Sequence, residues 1–294
     1  MKTAPFTGSA VALVTPFTRS GVDFDKLSEL IEFHIANKTD AIVVCGTTGE
    51  ASTLPDDEHI SILKHSVKVA AGRIPIIAGT GSNDTAHAIS FSKIAEELGC
   101  DGLLVVTPYY NKTTQKGLKA HYEMIANSVS IPIIMYHIPG RTGVKMTLDT
   151  IKHLAKIPNI VAIKESSGDL SFAAQIVAET DLVLYSGNDD IIVPIMSIGG
   201  KGVISVVANI LPEETHNICK DFESGNVLKA KEDFLRLLKL INTLFIEVNP
   251  IPIKTAMNLL GFDVGILRPP LCDMEDETLE ILKTELIKAG LKIK

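Results

Sequence analysis

"IPIIMYHIPGRTGVKMTLDTIKHLAKIPNIVAIKES", residues 131–166, holds two apolar runs with a helical pattern between them. The runs "IPIIMYH" and "IVAIKES" are continuously apolar rather than alternating. Strands buried on both faces of a parallel sheet read this way. "TLDTIKHLAKI" starts on Thr147, a capping residue, and repeats its apolar positions at helical spacing. The stretch is therefore a strand, a crossover helix and a second strand. The second strand ends on a charge, Lys164.

The same unit recurs along the chain. "SAVALVTP" from Ser9, "AIVVCGTTG" from Ala41, "IPIIAGTG" from Ile74, "GLLVVTPYY" from Gly102, "LVLYSGN" from Leu182 and "GVISVVA" from Gly202 bring the apolar runs to eight. Helical patterns lie between them. "FDKLSELIEFHIANK" from Phe24 puts Leu27, Leu30, Ile31 and Ile35 on one face. "PDDEHISILKHSVKVAAG" from Pro55 opens with proline and acids and stops at Gly72. Eight strands alternating with helices predict an α/β chain folded as a (β/α)8 barrel, with an open doubly wound sheet as the structural rival. After residue 224 the strands stop and three amphipathic helices follow. The expected division is a barrel over 1–224 and a helical extension over 225–294.

Hydrophobic residues make up 46% of the 294 and charged residues 21%, enough apolar material for a large core. The net charge of −7 and the lack of a basic cluster argue against a nucleic-acid binder. No run approaches the roughly 20 apolar residues of a membrane helix, and no secretory signal is visible. Cys45, Cys100, Cys219 and Cys272 are widely spaced, as in reduced cytosolic proteins. A cytoplasmic location is expected. There is no nucleotide fingerprint and no metal-ligand spacing, and "DDEH" at Asp56 reads as the first turn of a helix.

In such barrels the active site forms at the C-terminal ends of the strands. Those ends supply Thr15, Thr47, Thr48, Thr80, Thr107, Tyr109, Tyr110, Tyr136, Lys164, Ser186 and Ser205. Lys164 is the one strong nucleophile among them. Two readings of it stand open: it pairs with Glu165 or surfaces at the strand end, or its amine is neutral and nucleophilic. The second suits imine formation with a carbonyl substrate. A nearby tyrosine such as Tyr136 would then shuttle the proton. In "YHIPGRTG" the fork of Arg141 could hold a carboxylate with two parallel bonds. "CGTTGE" offers glycines for close approach, and Thr47 and Thr48 as donors.

The ordered set "GTTGE", "AGTGSN", "VTPYYNK", "YHIPGRTG", "IKESSGD", "GVISV" and "NPIPIK" resembles the dihydrodipicolinate synthase family of pyruvate-dependent class I aldolases. The resemblance implies that Lys164 forms an imine with pyruvate. Tyr136 would relay protons through Thr48 to Tyr110, with Tyr110 supplied by a neighbouring subunit. Thr47 and Thr48 would hold the pyruvate carboxylate, Arg141 would orient aspartate 4-semialdehyde, and the Ile204 carbonyl would face the lysine. It further implies a homotetramer built as a dimer of dimers, a place in diaminopimelate and lysine synthesis, and neither metal nor organic cofactor. Two other readings remain: another pyruvate aldolase such as N-acetylneuraminate lyase, or an inactive keto-acid-binding relative. Two departures from the family pattern stand out. His137 replaces the usual asparagine. Asp56 and His87 replace a histidine and a glutamate of the lysine-inhibited members, so feedback by lysine should be weak or absent.

Overall fold

The computed structural model describes residues 2–294. Eight parallel strands close into a barrel: β1 Gly8–Ala12, β2 Ala41–Val44, β3 Ile76–Gly79, β4 Gly102–Val106, β5 Ile133–His137, β6 Ile160–Glu165, β7 Val183–Ser186 and β8 Gly202–Ser205. Each pairs with the next in sequence, and β1 closes on β8 through Ala10 opposite Ile204. The rival open sheet is thereby excluded. A two-stranded hairpin, Phe17–Thr18 with Gly21–Val22, follows β1.

Helices α1 Phe24–Ala36, α2 Asp56–Ala70, α3 Thr85–Glu97, α4 Gln115–Ala126, α5 Leu148–Leu154, α6 Leu170–Glu179, α7 Ile192–Ser197 and α8 Pro212–Glu223 surround the barrel. Their starts follow the capping residues: Asp23, Asp84, Thr114, Thr147 and Asp169 each accept from a first-turn N–H. On α1, Leu27, Leu30 and Ile31 are buried as the periodicity predicts, while Ile35 is half-buried. The acidic run Asp56–Glu58 forms the first turn of α2, where negative charge faces the positive helix end.

Strand alternation divides the core in two. Ala10, Ala12, Ala41, Val43, Ile134, Tyr136, Ala162, Val183, Tyr185 and Ile204 fill the barrel interior. Val11, Ile42, Val44, Ile133, Met135, Ile163 and Val203 face the helical layer instead. Lys164 is in phase with Ala162 and so belongs to the interior. Glu165 is in phase with Ile163 and faces the helices. The chain ends in α9 Val227–Thr243, α10 Ile251–Leu259 and α11 Asp276–Lys288. These pack on the barrel, with Phe234, Leu237, Leu240 and Ile241 of α9 joining its outer core. Among the described residues, no helix is long and apolar enough to cross a membrane.

Candidate active site

Strand β6 is buried along its whole length, and Lys164 is 6% exposed. Its register sets it opposite Tyr136 on β5 and Tyr185 on β7. Lys164 Nζ lies 4.2 Å from the centroid of the Tyr136 ring, so the nitrogen sits over a π face. Among the described residues no carboxylate forms an ion pair with it. Its neighbour Glu165 points through the opposite face of the strand, within 2.6 Å of His137 Nδ1 and accepting from the Ser167 N–H. The reading that pairs Lys164 with Glu165 therefore fails on strand alternation.

Gly187, just beyond β7, explains how the lysine fits. A Cβ there would fall 2.9 Å from Lys164 Cε and 1.7 Å from Ser166 Oγ, so only glycine leaves the side chain its path. The next turn supplies Asp189, 2% exposed. Its Oδ2 accepts from the Val206 and Val207 amides at 2.9 and 3.0 Å, tying the loop after β7 to the loop after β8. Burial pushes this carboxyl above its ordinary range, against the opposing pull of its hydrogen bonds and of Lys164.

The loop after β2 carries Thr47, half-buried, and Thr48, buried. Thr48 Oγ1 accepts from Asn249 Nδ2 at 3.0 Å. Arg141, on a helical turn at Pro139–Thr142 after β5, donates from Nη2 to the Asn249 carbonyl at 2.9 Å. Asn249 thus joins the two loops, and sequence reasoning missed it. Its signal was the "NPIPIK" segment, quoted without a role. Among the described residues, no hydrogen bond joins Tyr136, Thr48 and Tyr110 into a relay. Tyr110 is 90% exposed. Ile204 is buried on β8, inside the barrel.

Thr47, Tyr110, Tyr136 and Arg141 line one cavity of about 480 Å³. Lys164 lies beneath the Tyr136 ring. The far wall carries Asp56, His59 and His87, where His87 Nε2 sits 3.2 Å from Asp56 Oδ1. Burial lowers the His59 imidazole to about 4. This wall is joined to the barrel mouth through Thr80 and Ser82. Behind the Thr47–Thr48 loop, Glu50 receives Lys254 Nζ at 2.6 Å, with both side chains buried, and Glu50 Oε2 accepts from the Arg268 N–H.

A buried interior lysine at a strand end of a (β/α)8 barrel, against a tyrosine that shares its cavity with an arginine, is the layout of a Schiff-base aldolase. Residues 5–289 match the dihydrodipicolinate synthetase family, and the chain belongs to it. A 4-hydroxy-tetrahydrodipicolinate synthase from Caldicellulosiruptor saccharolyticus is 57% identical over 291 residues, covering 98% of this chain and 99% of that one. The dihydrodipicolinate synthase structure from Aquifex aeolicus superposes with a TM-score of 0.97 at 46% identity, over 98% and 100% of the two chains. The enzyme from Cyanidioschyzon merolae, solved with lysine bound, gives 0.96 at 41% identity, over 99% and 100%.

Proposed function

We propose that this protein condenses pyruvate with L-aspartate 4-semialdehyde, as a 4-hydroxy-tetrahydrodipicolinate synthase on the diaminopimelate route to lysine. The observation that carries the reading is Lys164: buried in the barrel interior, in no ion pair with a carboxylate among the described residues, and set against the Tyr136 ring. The amine of Lys164 attacks the pyruvate keto carbon, and loss of water leaves an imine. Protonated, that imine is an electron sink, so the pyruvate methyl group gives up a proton that Tyr136 takes as it passes its own along Thr48 and Tyr110 toward solvent. The resulting enamine carbon attacks the aldehyde. The substrate's own amine then displaces Lys164 and closes the ring.

Thr47 and Thr48 hold the pyruvate carboxylate, Arg141 holds that of the semialdehyde, and the Ile204 carbonyl faces the lysine. Tyr110 completes a proton path through Thr48, across an interface between two subunits. The protein is accordingly a dimer at least, and a tetramer as a dimer of dimers. Lys164 supplies the electron sink, so the reading calls for neither metal nor organic cofactor. A cytoplasmic location belongs to the same reading. The division at 224/225 is supported by the break between Glu223, the end of α8, and Val227, with Gly225 at φ +90°.

Intact mass after incubation with pyruvate and borohydride tests the proposal. A reduced pyruvate adduct should map to Lys164 and vanish in Lys164→Ala, along with nearly all turnover. A folded wild-type sample that forms no adduct would refute the imine mechanism.

A further inference from the structure

On the outer face of β5 and β6, directly behind Tyr136 and Lys164, lies a buried pair that the chemistry above does not use. His137 is fully buried and Glu165 is 1% exposed. His137 Nδ1 and Glu165 Oε2 are 2.6 Å apart. The Met146 backbone N–H donates to His137 Nε2 at 3.2 Å. A backbone N–H can only donate, so Nε2 carries no proton, and the ring gives its single proton from Nδ1 to Glu165. Glu165 Oε1 also accepts from the Ser167 N–H at 2.6 Å.

Three segments meet at this point. The register sets Tyr136 against Lys164 and, one residue on, His137 against Glu165. The chain between His137 and Met146 is the loop that carries Arg141. Met146 is fully buried, so its N–H has no water to turn to. We propose that His137 and Glu165 form a clasp that closes the 138–145 loop against β6 and so positions Arg141 for the second substrate. His137 is a positioning residue, acting through Arg141 rather than on the reacting atoms. The loop has its own tie to the far side of the mouth, from Arg141 to the Asn249 carbonyl. The clasp fixes the near side. At this position the family resemblance led to an expectation of asparagine, whose side chain is too short to meet both Glu165 and Met146.

This inference rests on the condensation reading, and two variants separate its failure from that reading's. In His137→Leu the Met146 N–H loses its acceptor. In His137→Gln the amide oxygen reaches the Nε2 position and accepts from Met146 again. The readouts are KM for the semialdehyde, the rate of borohydride-trapped adduct formation with pyruvate, and the thermal midpoint. His137→Leu should raise the semialdehyde KM about tenfold while adduct formation stays within about threefold of wild type. His137→Gln should restore most of the KM. A folded His137→Leu with wild-type KM overturns the clasp. So does a rise in KM with a matching fall in adduct rate, in both variants, that only tracks the loss of thermal midpoint. Failure of the wild type itself to form the adduct strikes the condensation reading instead.

Discussion

Lys164 and Glu165 are adjacent in the chain and opposite in environment. The lysine enters the barrel interior, and the carboxylate faces the helical layer and is held there by His137 and Ser167. Sequence reasoning reached Lys164 because a strand end in this fold is a functional address. It could not choose between a paired and a free amine, since that depends on which face each side chain takes. Arg141 was equally legible as a cation just past a strand. Among the described residues its exposed guanidinium makes one hydrogen bond, to the Asn249 carbonyl, which leaves the other donors of the fork for a ligand. Arg141→Ala should therefore lower kcat/KM for the semialdehyde about 10- to 100-fold, the loss of a charge-assisted carboxylate contact. Pyruvate adduct formation on Lys164 should continue at close to the wild-type rate. Single-turnover trapping beside steady-state kinetics checks this, and equal loss in both half-reactions would assign Arg141 a different role.

The strands and the capped helices were legible because each depends on residues close in sequence. Asp84 and Thr147 cap as their positions predict, and the eight apolar runs are the eight barrel strands. The part played by α10 was not legible, because its contacts span most of the chain. Lys254 on α10 reaches behind the Thr47–Thr48 loop to meet Glu50, with Nζ also donating to the Ile266 carbonyl and lying 4.3 Å from the Phe17 ring centroid. Glu50 follows Thr48 by two residues, and Asn249, just before α10, donates to Thr48 itself. The C-terminal helices thus hold the Thr47–Thr48 loop from behind. No local pattern announces a pairing between residues 50 and 254. Lys254→Met should cost about 3–5 kcal/mol of stability, because it strands a buried carboxylate. Adding Glu50→Gln should recover part of that loss, since the double variant buries no unpaired charge. Urea unfolding of the two single variants and the double checks the coupling. Strictly additive losses would mean that the two side chains act independently.

At the scale of the whole molecule, burial lowers four imidazoles: His34 to about 3, His59 and His121 to about 4, and His65 to a lesser depth. The unfolded chain protonates each near 6.5, so it binds more protons than the native state below that pH. Stability from these groups is whole above about 6.5 and is lost as pH falls toward 4, on the order of 3 kcal/mol each for His59 and His121 by pH 4. Asp189, raised by burial, works in the opposite direction but is a single group. The urea midpoint should drop steeply between pH 7 and pH 5, and a flat profile would contradict the burial argument. Tyr110 carries the remaining lesson about assembly. It is a bulky residue at φ +62°, 90% exposed, at the edge of the cavity and without a hydrogen bond among the described residues. Such a conformation persists when surrounding structure over-determines it, and this chain supplies little around the ring. If a second subunit receives Tyr110 in its own site, two inactive variants should rescue each other. In a hybrid of Lys164→Ala with Tyr110→Phe, one site combines an intact Lys164 with an intact Tyr110 from the other chain. Random pairing of equal amounts makes half of the dimers hybrids, each with one working site, so about a quarter of wild-type activity should return. Co-expression of the two chains under different tags isolates the hybrids. If Tyr110 serves the site of its own chain, every site in the hybrid lacks one residue, and activity stays at the level of the separate variants.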